Sequence, residues 1–252
     1  MLSAGEATAV IAAGAGAGFV NAVVGSGSLI TFPTLVAVGY PPVIANVSNN
    51  IGLVPGSISG ALGFRRELEG QGSRARTLAM GSASGALVGA VLLLLLPASV
   101  FDAVVPVLVL AACALMAAQP RLSKWVAARR PDDSPDVTAT PIAIAFGAGI
   151  YGGYFGAAQG IILLAMLATF VPDDMARSNA LKNVLAGTVN AVAAVVFILF
   201  AEVAWEAAAL IAAGAVVGGI LGASVGRRIP ANVLRALVIA IGLIAATKLL
   251  LA

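Results

Sequence analysis

The chain has 252 residues, of which 60% are hydrophobic and 10% are charged, and its formal net charge is +3. An ordinary soluble domain has about 25% charged residues, so this composition excludes a typical soluble protein and indicates one embedded in a lipid bilayer. The Lys and Arg residues lie in loops between apolar runs, where they report membrane topology rather than a nucleic-acid-binding surface. The single cysteine, Cys113, leaves neither a disulfide nor a cysteine metal cluster available.

Apolar runs predict ten helical segments, five in each half of the chain. The run at 1–24 has the length of a signal peptide but lacks a basic start, so we interpret it as the first membrane segment. Runs such as 77–96, 100–118 and 233–252 are long enough to cross about 30 Å of hydrocarbon. The predicted segments are 6–24, 29–39, 44–63, 77–96 and 99–118, followed by 141–156, 160–171, 175–201, 206–226 and 231–251.

The second half of the chain repeats the first. Gly25, Pro41 and Gly56 are matched by glycine, proline and glycine 131 residues later (156 − 25, 172 − 41 and 187 − 56). Both copies are apolar and interrupted by glycine near their start, and repeats with helices broken at matching positions are typical of secondary transporters. We therefore predict an all-α integral membrane protein. It is divided into a first membrane repeat at 1–120, a cytoplasmic linker loop at 121–140 and a second membrane repeat at 141–252.

The distribution of Lys and Arg predicts that the two repeats have opposite orientations. Loops 65–76 and 119–140 are basic, which places both in the cytoplasm. In the second repeat the pattern is reversed, because the counterpart of loop 65–76 is acidic, at 201–206, while Arg227 and Arg228 replace a neutral turn. An inverted repeat requires an odd number of crossings in each copy. Both termini are therefore predicted to lie outside the cell, with the protein in the inner membrane of a bacterium.

Two glycine-rich breaks are the first candidate functional elements. Each is predicted near the bilayer midplane and is followed by the N-terminus of a short helix, which offers free N–H groups and the positive end of a dipole. Two such ends that face one another form an anion site. Close helix packing is the alternative role of these glycines, and it is the role we favour for the glycine ladders at 81–89 and 214–222. The breaks comprise Gly25, Ser26, Gly27 and Ser28 in the first repeat and Gly156, Ala157, Ala158, Gln159 and Gly160 in the second.

The short segments 29–39 and 160–171 have two interpretations. At 1.5 Å per residue each spans about 18 Å, so they are either half-helices of re-entrant hairpins or short crossings through a thinned region. Backbone that is unwound at this depth must line protein or a water-filled cavity, because lipid cannot satisfy its hydrogen bonds.

The third segment of each repeat carries the other polar side chains of the membrane region. Lys182 lies about 10 Å into its segment, and an ionisable side chain at that depth usually faces a cavity on a transport pathway. The alternative is that Lys182 extends back to the cytoplasmic surface beside Asp173 and Asp174. Together with the breaks, these segments complete the predicted substrate-binding residues, which are Gly25, Ser26, Gly27, Ser28, Ser48, Asn49, Asn50, Gln159, Gly160, Asn179, Lys182 and Asn183.

The stretch from Gly18 to Asn49 resembles the N-terminal signature of the TauE/SafE sulfite exporter family, also called the toluene sulfonate uptake permease group. The resemblance is carried by the glycine-rich turn, by Pro33, by the turn at 39–42 and by the sequence at 45–49. It recurs in the second repeat through Gly156, Pro172 and the sequence at 176–179. The usual run of three glycines is Gly-Ser-Gly-Ser here. The resemblance covers nearly the whole chain and implies transport of small sulfur-containing anions such as sulfite, thiosulfate or organosulfonates.

These features predict a secondary transporter, and more specifically an exporter, that works by alternating access between the repeats. The chain has no histidine, no Asp or Glu deep in a segment and no nucleotide-binding loop, so we predict no enzymatic activity, cofactor or metal. A passive anion channel and a membrane-embedded accessory subunit are the alternatives. The predicted partners are the anion and the bilayer, without nucleic acid. The anion, the direction of flux, the coupling ion and the oligomeric state, a homo-oligomer included, are left open.

Overall fold

A computed structural model describes residues 2–127, 137–171, 173–226 and 229–251. Within these ranges the regular secondary structure is helical. The helices in chain order are α1 Ala4–Val23, α2 Ser28–Ala37, α3 Pro42–Gly63, α4 Gly72–Leu95, α5 Ala98–Ala127, α6 Ala139–Tyr154, α7 Gln159–Phe170, α8 Met175–Phe200, α9 Trp205–Val225 and α10 Ala231–Leu251. The predicted all-α fold with ten segments is confirmed.

Two helix ends differ from the prediction, and with them the limits of the polar loops. Helix α4 begins at Gly72, inside the predicted loop 65–76, and α5 continues to Ala127, inside the predicted linker 121–140. Arg, Leu, Lys and Ala are good helix formers. The polar side chains therefore indicate where the chain leaves the apolar region, but α4 and α5 both extend beyond that point. Residues 128–136 lie outside the described residues.

Six of the described helices are long and apolar enough to cross a membrane. They are α1, α4, α5, α8, α9 and α10. Helices α2 and α7 are apolar but have only 10 and 12 residues, which corresponds to about 15 and 18 Å. These two short helices are the ones that follow the glycine breaks, so their length agrees with either a half-helix or a short crossing.

The packing of the helices is nearly symmetric: most pairs of packed helices have an equivalent pair in which every helix is replaced by its counterpart in the other half of the chain. Helix α1 packs on α9 as α6 packs on α4, and α3 packs on α9 as α8 packs on α4. In the same way α5 packs on α7 and α10 packs on α2, while the pairs α3/α8 and α5/α10 map onto themselves. The packing thus has the twofold character that the repeat predicts. The opposite orientation of the halves in a membrane stays a prediction.

The glycine ladders are packing surfaces, as predicted. A Cβ atom added to Gly81 would lie 3.1 Å from the carbonyl oxygen of Ile142, and one added to Gly85 would strike the backbone of Phe146. Gly214 and Gly218 of α9 meet the backbone of α1 in the same way. Without side chains at these positions the backbones of α1 and α6 approach α9 and α4 closely. Both broken helices are thereby held at the centre of the molecule.

Candidate functional site

The two breaks have the same backbone conformation. Gly25 has a φ of +95° and Gly156 a φ of +83°, a region that only glycine adopts without strain. The Gly25 N–H donates to the carbonyl of Val20 at 2.9 Å, and the Gly156 N–H donates to the carbonyl of Tyr151 at 3.0 Å. Each helix therefore ends with the same hydrogen-bonded turn, and the chain then enters the short helix α2 or α7.

The two breaks touch one another through backbone atoms. The Gly160 N–H donates to the Gly25 carbonyl oxygen at 3.2 Å. A Cβ atom on Gly160 would lie 2.5 Å from the Gly25 Cα, and a Cβ atom on Gly25 would lie 2.7 Å from the Gly160 Cα. Real Cβ atoms are essentially never found that close, so both positions require glycine. The first and second repeats are joined directly at this contact.

A small cavity lies beside this contact. Its volume of about 20 Å³ has room for about one water molecule, which is too small for a sulfur oxyanion. Among the described residues, the cavity is lined by backbone, hydroxyl and amide groups of Asn21, Ala22, Gly25, Ser28, Gly56, Ser57, Gly60, Gly156, Gln159, Gly160, Asn183, Ala186 and Asn190.

The first residue of each short helix lines the cavity. These residues are Ser28 in α2 and Gln159 in α7. The N-terminal end of a helix carries a partial positive charge, although the backbone N–H groups of Leu29, Gln159 and Gly160 already donate to carbonyl oxygens. Two such ends therefore converge on one cavity whose described side chains are uncharged, which is an arrangement that suits an anion.

Asn21 is a cavity residue that the sequence analysis missed. Its side-chain Oδ1 accepts a hydrogen bond from the Gly27 N–H at 2.6 Å, so its amide nitrogen remains available as a donor. Asn21 lies on α1 four residues before the break and lines the cavity. An amide inside an otherwise apolar segment was the available signal. Ser57 and Asn190, which form a hydrogen bond of 3.4 Å, were also absent from the predicted set.

Gln159 presents a buried donor that has no hydrogen-bond partner within the described part of the chain. The atom is Nε2 of a side chain that is 3% exposed. Its Oε1 lies against Gly152, where a Cβ atom would collide with it. Buried donors are paired in the great majority of cases, and an unpaired one costs about 1–3 kcal/mol. Gln159 is therefore the strongest candidate on the cavity wall for a contact with substrate.

The polar face of α8 caps the C-terminal end of α1. Asn179 and Asn183 donate to the carbonyl of Ala22 at 3.0 and 3.3 Å, and the Nζ of Lys182 donates to the carbonyl of Asn21 at 2.8 Å. These carbonyls lie in the last turn of α1, where they have no partner within the helix. Of the three side chains, Asn183 also lines the cavity.

Lys182 agrees with neither of the two predicted positions. The side chain is 0% exposed, so it does not extend to the surface. It is also not among the described residues that line the cavity, although its Nζ binds the carbonyl of Asn21, which is one of them. Lys182 thus lies immediately behind the cavity wall.

Three of the predicted residues outside the cavity wall hydrogen-bond to the first break or to the last turn of the helix before it, namely Asn49, Asn179 and Lys182. Asn49 of α3 accepts a hydrogen bond from Thr31 and donates to the Ser28 hydroxyl at 3.3 Å, which holds the start of α2. The Ser48 hydroxyl accepts from the Ala204 N–H at 2.9 Å. Neighbouring polar positions on a helix face different directions, which explains why the structure brings only some of them together. The predicted residues that do not line the cavity are Ser26, Gly27, Ser48, Asn49, Asn50, Asn179 and Lys182.

Comparison with known proteins assigns this chain to a family. The family model described as "Sulfite exporter TauE/SafE" matches residues 10–249, a range that contains both breaks and every described residue of the cavity wall. The chain belongs to the TauE/SafE family. The resemblance stated from the sequence is thereby confirmed, and the TauE/SafE match extends over both repeats.

The proteins that are similar to this chain include several that are named as transporters. The chain is 28% identical to "Probable membrane transporter protein YfcA" of Escherichia coli strain K12 over 241 residues, which are 93% of this chain and 86% of that protein. It is 25% identical to "Probable membrane transporter protein ORF9" of Sinorhizobium sp over 238 residues, which cover 93% and 88%. No solved structure gives a significant match. With its six long apolar helices, this TauE/SafE chain is a multi-pass membrane protein.

Proposed function

We propose that this protein is a secondary transporter that exports small sulfur-containing anions across the bacterial inner membrane. The observation that carries the proposal is the central cavity, on which the N-terminal ends of α2 and α7 converge and whose described side chains are uncharged donors. The family membership and the printed names of the relatives support a membrane transporter. Sulfite, thiosulfate and organosulfonates fit the donors as a chemical class.

The anion is recognised by its oxygen atoms. Each sulfur–oxygen group accepts hydrogen bonds, and the cavity offers amide nitrogens of Asn21 and Gln159 together with the hydroxyl of Ser28. Hydrogen bonds to a charged partner are worth about 1.5–3 kcal/mol each. A few of them, with the two helix dipoles, replace the hydration shell of the anion without a permanent charge in the cavity wall.

Transport proceeds by alternating access around this site. The cavity is too small for the anion, so admitting the anion requires one group of helices to move against another at the contact between the breaks. No Asp or Glu lies deep in a described segment, where it could couple transport to a proton gradient. For a dianion, a potential that is negative inside supplies about 4.6 kcal/mol per 100 mV in the outward direction, twice the single-charge value.

A flux panel tests the proposed function. Purified protein in liposomes is given sulfite, sulfate, thiosulfate, sulfoacetate or taurine, and uptake is measured with and without the same anion inside. We expect saturable flux of at least one sulfur anion and faster flux when the anion is present on both sides. Flux that neither saturates nor responds to internal anion would favour the channel. No binding or flux of any of these compounds would contradict the proposal.

Cysteine labelling tests the inverted arrangement. In a Cys113→Ala background, single cysteines replace Ser73, which is exposed at the start of α4, Glu202, which is exposed before α9, or Ser134, which lies outside the described residues. We expect an impermeant reagent to label Ser73→Cys and Ser134→Cys from the cytoplasm and Glu202→Cys from outside, because the basic loops lie inside. Labelling of Ser134→Cys and Glu202→Cys from the same side would remove the inverted repeat.

A further inference from the structure

Lys182 is a fully buried amine with one described hydrogen-bond partner. Its Nζ donates to the backbone carbonyl of Asn21 at 2.8 Å, and none of its surface is exposed. A carbonyl oxygen is a dipole and not a counter-charge. Moving an ammonium out of water requires an opposite charge nearby, and otherwise the neutral amine is the favoured form. The protonation of Lys182 therefore depends on what negative charge lies near it.

The helices around Lys182 supply no such charge within the described residues. Helix α8 packs on α1, α3, α4, α6 and α7, and α3 and α7 contain no titratable side chain. Glu6 of α1 lies 15 residues before Asn21, about 22 Å away along the helix. The titratable side chains of the other two helices are Arg74 and Arg76 in α4 and Tyr151 and Tyr154 in α6.

The acidic residues at the start of α8 are engaged elsewhere. Asp173 forms ion pairs with Arg74 at 2.8 Å and with Arg177 at 2.5 Å. Asp174 accepts a hydrogen bond from the Arg177 N–H at 2.8 Å and caps the helix. Lys182 lies five residues beyond Arg177, about 7.5 Å farther along α8. The carboxylates of Asp173 and Asp174 therefore interact with Arg74 and Arg177 at the start of the helix.

The cavity is the place from which a negative charge reaches Lys182. The backbone carbonyl of Asn21 accepts the hydrogen bond from the Lys182 Nζ, and Asn21 is also one of the residues that line the cavity. Gly25, which also lines the cavity, lies so close that a Cβ atom on it would be 3.4 Å from the Cδ of Lys182. Two residues of the cavity wall, Asn21 and Gly25, thus lie next to the Lys182 side chain.

We propose that the anion is transported together with one proton, which is carried on the Nζ of Lys182. This inference rests on the proposed function, since it requires an anion in the cavity. The bound anion stabilises the ammonium form, so the amine takes up a proton from the side on which the anion enters. When the anion leaves on the other side, the ammonium loses its counter-charge and releases the proton there. The protein is then an anion–proton cotransporter, and for a dianion with one proton the membrane potential acts on a net single negative charge, about 2.3 kcal/mol per 100 mV.

The linkage between the two ligands has a defined size and sign. An opposite charge within about 4–6 Å raises the proton affinity of a basic group by about 10- to 1,000-fold. Coupling between two ligands is reciprocal, so protonation of Lys182 raises the affinity for the anion by the same factor. Anion affinity therefore falls as the pH rises.

Calorimetry with a strong-acid anion tests the coupling. Methanesulfonate or thiosulfate, whichever binds, is titrated into the purified protein from mildly acidic to mildly alkaline pH, because neither changes its charge there. Measurement in two buffers of different ionisation enthalpy gives the number of protons taken up. We expect uptake that approaches one proton per anion and an affinity that falls by about 10- to 1,000-fold across the range. Heat that is independent of the buffer, with pH-independent affinity, would overturn the proposal.

Three variants assign the proton to Lys182. Lys182→Arg keeps a charge that cannot be removed, so it should bind the anion without proton uptake. Lys182→Gln should bind more weakly at low pH and also without uptake. Lys248→Gln, at an exposed lysine of α10, should behave as the wild type. Wild-type proton uptake in Lys182→Gln would also overturn the proposal. If both Lys182 variants fail to fold, the wild-type buffer comparison decides by itself. Absence of binding to any sulfur anion would instead contradict the proposed function.

Discussion

The two breaks share one backbone but differ in the side chains that complete them. In the first break, Asn21 of the preceding helix holds the Gly27 N–H, and Asn49 holds Ser28 at the start of α2. In the second break, the position equivalent to Asn21 is Gly152 (152 − 21 = 131), and the position equivalent to Ser28 is Gln159 (159 − 28 = 131). The Gln159 side chain extends over Gly152, and its Nε2 has no partner within the described ranges.

This difference indicates that the amide side chains of the two breaks have different roles. In the first repeat the amide side chain lies on the helix before the break, at Asn21, and in the second repeat it lies on the helix after the break, at Gln159. Each break therefore has one amide side chain on the cavity wall. In the first repeat that amide accepts a hydrogen bond from the backbone of the break. In the second repeat the amide nitrogen has no partner within the described residues, which costs stability. Two breaks with the same backbone conformation thus present different side chains to the cavity.

The largest effect is expected from separating the two breaks. Gly160→Ala places a Cβ atom 2.5 Å from the Gly25 Cα, so the breaks must move apart and the cavity wall is lost. Overpacking of this kind costs about 1–3 kcal/mol, and we expect transport to be abolished. Gly147→Ala on α6 is the matched control, because nothing lies within 4 Å of its Cβ position. Liposome flux measures both variants. Normal flux in Gly160→Ala would show that the contact is not needed.

An intermediate effect is expected when the first break loses the hydrogen bond from Gly27 to Asn21. Asn21→Ala leaves the Gly27 N–H without its partner, and an unpaired buried donor costs about 1–3 kcal/mol. It also removes a donor from the cavity. We expect a lower unfolding temperature in detergent as well as weaker anion binding. Thermal unfolding at wild-type stability would mean that the amide does not hold the first break.

The smallest effect, and the most selective, is expected at the second break. Gln159→Ala removes a donor that has no described protein partner, so stability should change little. Anion affinity should fall by about 10-fold, which corresponds to about 1.4 kcal/mol and lies near the lower end for a hydrogen bond to a charged group. Calorimetry and thermal unfolding are compared with those of Asn21→Ala. Loss of stability without loss of affinity would reverse the roles assigned to the two breaks.

The positions of the helices and the breaks were predictable from the sequence. Long apolar runs have few alternatives to a membrane helix, and a positive φ at Gly25 or Gly156 is accessible to glycine alone at low cost. Where the prediction was wrong, at the start of α4 and the end of α5, polarity had been taken as the end of a helix. The ladders at 81–89 and 214–222 were also interpreted correctly, since their spacing places the glycines on one helix face.

The composition of the cavity wall was decided by the tertiary structure. Gly27 has the same local sequence signal as Gly25, yet its Cβ position is occupied by the backbone of Ala17, so it serves packing. Lys182 finds its partner on Asn21, 161 residues away. A helix sequence defines which residues share a face, but only the docking of a neighbouring helix decides whether that face meets a cavity or an unpaired carbonyl. Such partners lie far apart in the chain, so local sequence patterns do not predict them.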